Sequence, residues 1–532
     1  MNSKYEYTRP FPTELKQAKR EIEALCRKEG LDFFDVIFEM VTRDEMCEFA
    51  AYLGFPSRYP HWSFGQEYDY YLKHHQWDQF RISEMVINND PAIAYLMDSN
   101  GLVDQQMVMA HVYGHVDFFK NNAYFKYTNR KMLNKMANHA SLVRRYIDIY
   151  GDAEVEAWVD ICLSIQNLID PHSVAIRRTE EKSLEFDFED PKFKKAGRFD
   201  VDKDYMERYI NTPDFIEHQK KTAATTRKKD KNFPARPMRD VVLFLYQYAA
   251  LPKWKVNILG MIREESYYFA PQAMTKILNE GWASYWHSHV MTKLGIAGDS
   301  GIVDYATHCA GTWATDHNPF NPYKLGVELF RDIEERWDKG QFGEEWDKCE
   351  DLLVKQAWDK KLGLGREKIF EVRELYNDVT FLETFLTPDF CLKTKIFDKL
   401  VIKHYGEALK LGKMTLFDAY NDLKRGLLFQ MTNRASPFIY VINGNYQNRG
   451  ELLLRHTHDG QDLDLPFAQA TLENIYRIWQ RPVYLETIVN KNPTLYSHKE
   501  SGFTTDKQDD SADLFIFSPY GNITLDSINF NI

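Results

Sequence analysis

The sequence lacks three features that would assign it to a special class of protein. Its six cysteines include no Cys-x-x-Cys pair, which argues against a disulfide framework and for a reduced compartment. The first residues, MNSKYEYTRPFPTELKQ, contain no apolar segment of the kind that a secretory signal needs. No apolar run approaches the roughly 20 residues that cross a bilayer. We therefore expect a cytoplasmic protein without a membrane partner.

Positively charged residues are also fewer than negatively charged ones. Lys and Arg number 67 against 78 Asp and Glu, and the formal net charge is -11. This balance argues against a general nucleic-acid-binding protein, because such proteins carry an excess of cations. The 532 residues are 44% hydrophobic, which is enough for a large core and predicts two to four domains.

Helical periodicity dominates the chain, so the predicted fold is mainly α. Residues 172–240 interrupt it with a polar and charged stretch, which we interpret as an inserted segment. After residue 436 the pattern changes to strand, turn, strand, helix and strand, which predicts a small α+β module. The predicted divisions are an N-terminal helical part (1–171), the insert (172–240), a second helical part (241–435), the α+β module (436–490) and a loosely ordered C-terminal extension (491–532).

Two histidines lie one helical turn apart in the apolar run MVMAHVYGHVDFFKNN. A helix places His111 and His115 on one inward-facing stripe, close enough to bind one metal ion. Core histidines bonded to neighbouring carbonyl groups explain the same pattern. Zinc peptidases with this spacing carry Glu directly after the first histidine, whereas this chain has Val112.

A second helix, TKILNEGWASYWHSHVM, supplies a carboxylate. Glu280 faces inward and needs a partner, since an unpaired buried charge is costly. A metal held by both histidines would be that partner, and the His₂Glu set would leave one position for water. The string LNEGWASY is similar to the helix that gives gluzincin peptidases their Glu ligand, which implies a helical gluzincin-like core. His287 lies two turns from Glu280 and is assigned a catalytic, substrate-binding or second-metal role.

A general base must replace the missing glutamate. The helix over 153–169 is apolar except for a strip that contains Glu156 and Asp160. The strip either faces solvent or points into the cavity of the histidines. In the second case Glu156 is the candidate base or a further ligand.

Four longer motifs resemble the SpoVR family, named for stage V sporulation protein R. They are YPHWSFG (59–65), AHVYGHVDFFKNN (110–122), PQAMTKILNEGWASYWH (271–287) and NPYKLGVELFRDIE (321–334), and the resemblance runs from about residue 10 to 490. The motif residues of this chain are His61, His111, His115, Asn121, Asn122, Glu280 and His287. Among them, His61, Asn121 and Asn122 are the candidate substrate-binding residues, although His61 between aromatic neighbours also suits a packing plug.

The resemblance implies a mostly helical bacterial protein of the cytoplasm, linked to spore cortex formation or to stress response. Family association also suggests a serine protein kinase and a von Willebrand A-type protein as partners. Three functions stay open at this point. The first is a zinc-dependent hydrolase of a peptide or peptidoglycan-related amide, and the second is a non-catalytic partner in a kinase-associated complex. The third is a redox protein with two metals, iron or manganese.

Overall fold

A computed structural model describes residues 11–76, 84–175, 233–312 and 320–507. Helices dominate these residues, as the sequence predicts, and none of the described helices is long and apolar enough to cross a membrane. Most of the predicted insert, residues 176–232, lies outside the described residues, as do residues 508–532 of the predicted C-terminal extension.

The described chain forms two compact units. The first runs to Asp160 and resumes from Glu264 to Ser436; the second contains described residues of Ile161–Arg263 and those from Pro437 onward. The segments that flank the predicted insert therefore group with the C-terminal module. This differs from the sequence-based division, and the reason is local pairing, since the Met238 and Val441 main chains form a β-bridge and Val242 N–H bonds to the Leu168 carbonyl.

The helices are as follows: α1 Thr13–Lys28, α2 Arg43–Ala51, α3 Trp62–Gln76, α4 Leu102–Asn121, α5 Met132–Tyr150, α6 Asp152–Ser164, α7 Val241–Tyr248, α8 Lys253–Met274, α9 Lys276–Ser288, α10 Gly298–Thr312, α11 Pro322–Lys339, α12 Glu344–Asp347, α13 Leu352–Gln356, α14 Gly365–Leu375, α15 Asp378–Phe385, α16 Pro388–Thr394, α17 Asp398–Lys410, α18 Leu416–Met431 and α19 Leu465–Trp479. A π-helical turn, His289–Lys293, continues α9, and short 3₁₀ turns occur at Ala123–Phe125, Ser173–Ala175 and Thr432–Ala435.

The first unit also contains a small sheet that the sequence reading did not predict. Strands β1 (Val36–Val41), β2 (Glu84–Ile87) and β3 (Ala92–Met97) lie in the order β1-β3-β2, with β1 parallel and β2 antiparallel to β3. Ala92, Ala94 and Leu96 of β3 are fully buried. Such short, nearly continuous apolar strands carry no alternation to distinguish them from buried helix.

Helices α4, α9 and α11 form the centre of the first unit, and glycines allow them to approach closely. A Cβ added to Gly281 of α9 would lie 2.5 Å from the Gly326 Cα of α11. A Cβ on Gly114 of α4 would lie 2.8 Å from the Ala283 Cα of α9. These spacings bring the main chains of the three helices close together. Polar side chains of α4 and α9 can therefore meet.

The start of α9 is fixed by a buried carboxylate from α15. Asp378 accepts hydrogen bonds from the Ile277 and Leu278 main-chain N–H groups at 2.9 and 2.8 Å. These N–H groups belong to the first helical turn and have no partner inside the helix. The bonds therefore anchor the end of α9 that carries Glu280.

The second unit contains a five-stranded sheet with α19 packed on it. Strands β4 (Phe438–Tyr446), β5 (Glu451–Thr457), β6 (Val483–Val489), β7 (Asn492–Lys499) and β8 (Gly502–Lys507) follow in that order. Only β5 and β6 pair in parallel, because α19 connects them. Strands β7 and β8 lie in the part predicted as a loosely ordered extension. The sequence did not predict these strands, because polar residues and a proline mask their pattern.

Candidate metal centre

Helix α4 presents two imidazoles to the same point. His111 and His115 are 5% and 4% exposed, and their ring centroids are 4.5 Å apart. The helix is buried on most of its surface, as expected for an apolar run of this length. The predicted His pair is therefore brought together inside the first unit.

Helix α9 adds the predicted carboxylate. The Glu280 Oε2 atom lies 3.4 Å from His111 Nε2 and 3.4 Å from His115 Nε2. A tetrahedral ion with ligand bonds of about 2.0–2.1 Å separates its ligand atoms by roughly 3.3 Å. The Glu280 oxygen therefore lies, from each imidazole nitrogen, at about the separation that two ligand atoms of one tetrahedral ion have.

A fourth side chain, Glu84, reaches the same point from the first residue of β2. Its Oε1 atom lies 2.9 Å from His111 Nε2 and 3.8 Å from His115 Nε2. The Glu84 carboxylate and the two imidazoles form a group that could hold a metal ion. Sequence reasoning missed Glu84, because one acidic residue at the start of a four-residue strand carries no periodic signal.

Unsatisfied polar atoms indicate that the cluster fits a cation. Among the described residues, His111 Nε2 and Glu280 Oε2 are buried atoms that make no hydrogen bond of good geometry, although each lies within 3.4 Å of an oppositely charged group. Buried polar atoms normally make such a hydrogen bond. This nitrogen and this oxygen therefore have the character of metal-ligand atoms. Two carboxylates also balance the charge of one divalent cation.

Asn279 orients one of the two imidazoles. Its Oδ1 atom lies 2.9 Å from His115 Nδ1, so the amide oxygen accepts the Nδ1 proton. In the neutral ring this hydrogen bond places the lone pair on His115 Nε2, the nitrogen that lies near both carboxylates. Metal-binding histidines are commonly oriented in this way by a second polar group.

The four groups shift one another's pKa values. Burial lowers the pKa of His115, but Glu280 and Glu84 together outweigh it and raise the pKa to about 10. For His111, Glu84 and Glu280 together likewise outweigh burial, and the pKa is raised. Burial raises the pKa of each carboxyl group, but the imidazoles reverse this, so the pKa values of Glu84 and Glu280 are lowered. Without a metal, attraction between the imidazoles and the carboxylates therefore favours the charged form of each group.

Neutral groups surround the cluster. The His287 ring centroid lies 5.2 Å from that of His111, and its Nδ1 is 3.1 Å from the Tyr305 hydroxyl. Burial, and then the charge of His111, hold the pKa of His287 well below its ordinary value. Tyr323 stacks on His111, and Glu280 together with burial raises the pKa of its hydroxyl. His287 is thus closer to the His pair than helical spacing along α9 suggests.

The candidate base Glu156 makes its contacts elsewhere. Its Oε1 accepts the Trp62 main-chain N–H at 2.9 Å. Asp160 on the same strip lies 3.1 Å from His61 Nε2, and the other His61 nitrogen lies 2.7 Å from Ser63 Oγ. The strip of α6 therefore holds the loop before α3, and the roles predicted for Glu156 and His61 stay predictions.

Asn121 and Asn122 hydrogen-bond to main-chain atoms. Asn121 Nδ2 donates to the Asp32 and Asp117 carbonyl oxygens, both at 2.7 Å. Asn122 Nδ2 donates to the Arg373 and Tyr376 carbonyl oxygens at 2.8 and 3.0 Å. These bonds tie the end of α4 to its neighbours, and the predicted substrate-binding role of the two residues stays a prediction.

Comparisons with known proteins give a family but no known reaction. No solved structure shows significant similarity to the chain, so the gluzincin-like core stays a prediction. The chain is 28% identical over 499 residues to a protein of Escherichia coli (strain K12) named "Uncharacterized protein YcgB", covering 88% of this chain and 90% of the relative. The family model "SpoVR like protein" matches residues 11–436, and "SpoVR-like C-terminal domain" matches residues 437–490. The chain belongs to the SpoVR family.

Proposed function

We propose that the protein is a metal-dependent hydrolase of amide bonds, with zinc held by His111, His115 and Glu280. The observation that supports this most is the equal 3.4 Å spacing of Glu280 Oε2 from both imidazole nitrogens. Three protein ligands are typical of catalytic zinc sites, since the fourth position is left for water. Structural zinc sites more commonly use four protein ligands.

The residues of the chain have separate tasks in this proposal. Bound zinc would polarise a carbonyl group and lower the pKa of a water molecule. His111, His115 and Glu280 hold the ion, and Asn279 keeps His115 in the tautomer that binds. His287 and Tyr323 stay neutral and can donate or accept hydrogen bonds beside the substrate. The link between the family and spore cortex formation makes peptides from peptidoglycan the first substrates to test.

Metal analysis of the purified full chain tests the proposal. We expect about one zinc per chain, and a competition titration with a chromophoric chelator should give submicromolar affinity. Glu280→Gln keeps the shape of the side chain but removes the charge that the cation needs. This variant should bind zinc at least 100-fold more weakly while remaining folded.

Glu374→Gln is the matched control, because Glu374 is an exposed residue of α14. It should bind zinc like the wild type.

The zinc-loaded wild type should also cleave amide bonds in a mixture of muropeptides and short peptides, and mass spectrometry detects the products. A wild type that binds no zinc in the titration refutes the proposal, and two iron or manganese ions per chain would favour the redox alternative instead.

A further inference from the structure

Hydrolysis at the proposed site needs a group that takes a proton from water, and α4 does not supply it. Val112, directly after the first histidine, is fully buried and has no ionisable group. A general base must lie within hydrogen-bond reach of the water that it activates. The candidate must therefore come from another element that reaches the His pair.

Glu84 is the carboxylate in that position. Strand β2 pairs antiparallel with β3, with Glu84 opposite Leu96, and this pairing places the start of β2 beside α4. The Glu84 Oε1 atom is 2.9 Å from His111 Nε2 and 3.8 Å from His115 Nε2. Its contact with the two histidines is thus unequal, whereas that of Glu280 is symmetric.

The geometry separates the two carboxylates by role. Two ligand atoms of one tetrahedral ion lie roughly 3.3 Å apart. The Glu280 Oε2 atom lies at nearly this distance from the Nε2 atoms of both histidines. This oxygen is also a buried atom that makes no hydrogen bond of good geometry among the described residues, and no Glu84 atom belongs to that group. The Glu84 and Glu280 side chains keep 21% and 18% of their surface exposed, so solvent reaches both, and their spacing from the histidines is what distinguishes them.

We propose that Glu84 is the general base of this site, the role that Val112 cannot fill; this rests on the proposed hydrolase function. The Glu84 carboxylate takes a proton from water while the water oxygen bonds to the amide carbonyl carbon. Glu84 then passes that proton to the amide nitrogen as the C–N bond breaks. One water is consumed, the products are a carboxylic acid and an amine, and Glu84 returns to its starting state.

Acetohydroxamate bound to the cobalt-loaded full chain tests this without a known substrate. A hydroxamate binds an open metal position through its oxygens, and a neighbouring base accepts a hydrogen bond from it. We expect the cobalt absorption spectrum of the wild type to change on titration. Glu84→Gln should keep its zinc affinity within about tenfold of wild type but bind acetohydroxamate at least tenfold more weakly, because the amide is a poorer acceptor than a carboxylate.

Glu280→Gln and Glu374→Gln complete the comparison. Glu280→Gln should lose the metal, and Glu374→Gln, at an exposed residue of α14, should bind both zinc and acetohydroxamate like the wild type. If Glu84→Gln loses zinc as severely as Glu280→Gln, Glu84 is a fourth ligand and the inference is wrong, although the metal site stands. Unchanged acetohydroxamate binding in Glu84→Gln also overturns it. A wild type that binds no metal overturns both proposals.

Discussion

At the residue scale, Asn279 orients the His115 imidazole through a single hydrogen bond. Its Oδ1 accepts the Nδ1 proton of His115 at 2.9 Å and so directs Nε2 toward Glu280. Asn279→Ala removes this acceptor and frees the imidazole to rotate or change tautomer. We expect zinc affinity to fall by about 10–100-fold, the usual cost of removing a group that orients a metal ligand. A competition titration at pH 8 measures it.

Asn279→Asp and Asn134→Ala are the comparison variants. Aspartate keeps an acceptor at the same place, so Asn279→Asp should retain most of the zinc affinity. Asn134 is exposed on α5, and its replacement should change nothing. In chelator Asn134→Ala should melt at the wild-type temperature, whereas Asn279→Ala should melt at a lower one, because the buried His115 Nδ1 loses its acceptor. An Asn279→Ala variant with wild-type zinc affinity would show that the hydrogen bond has no part in holding the metal.

Some residues of the site could be predicted from sequence and one could not. His111 and His115 are four residues apart on a helix, and the NEG string marks Glu280, so local patterns were sufficient for these three. Glu84 lies on strand β2 and His111 on helix α4. Only the pairing of β2 with β3 brings the two side chains close. The sequence shows only the spacing of His287 from Glu280 along one helix, and the packing of α9 against α4 is what brings the His287 ring within 5.2 Å of that of His111.

At the scale of elements, the crossing of α9 and α11 positions Glu280. The Gly281 position leaves no room for a side chain, since an added Cβ would lie 2.5 Å from the Gly326 Cα. Gly281→Ala must therefore push the two helices apart. We expect a loss of about 1–3 kcal/mol in the free energy of unfolding, typical of overpacking. Urea denaturation in chelator measures this change independently of metal binding.

Gly65→Ala is the matched control for helix propensity. Gly65 lies in α3, and nothing lies within 4 Å of the Cβ that alanine would add. Alanine should therefore stabilise the chain slightly, by about 0.5–1 kcal/mol. Equal effects of Gly281→Ala and Gly65→Ala would mean that the contact between α9 and α11 tolerates a methyl group.

Helices were predicted better than strands for a physical reason. Helices such as α1 and α11 carry an apolar stripe at a fixed period, and one segment of sequence contains the whole signal. Strands β1, β2 and β3 depend on partners far away in the chain, and β7 and β8 include polar residues on both faces. Their pairing cannot be deduced from any single segment.

At the scale of the whole molecule, the cluster of two histidines and two glutamates ties stability to pH. In the metal-free protein the raised pKa values of His111 and His115 mean that protonated imidazoles stabilise the fold. That contribution is complete below the unfolded pKa of about 6.5 and is lost as pH rises toward the folded value of about 10 for His115. The lowered pKa values of Glu84 and Glu280 give stability that is present above pH ~4.5 and is lost as pH falls through them.

Zinc should reverse the trend on the alkaline side. Bound zinc would displace the proton that His115 carries at these pH values, so each pH unit between pH 6 and 8 should raise zinc affinity by about tenfold or more. Ligand binding to the folded state raises the melting temperature, and the shift produced by excess zinc should therefore be larger at pH 8 than at pH 6. Thermal melts of the full chain with zinc or with chelator at both pH values measure this. His115→Gln, which lacks a ligand, should show a small shift at either pH, and a wild-type shift that is equal at both values or larger at pH 6 would exclude proton displacement by the metal.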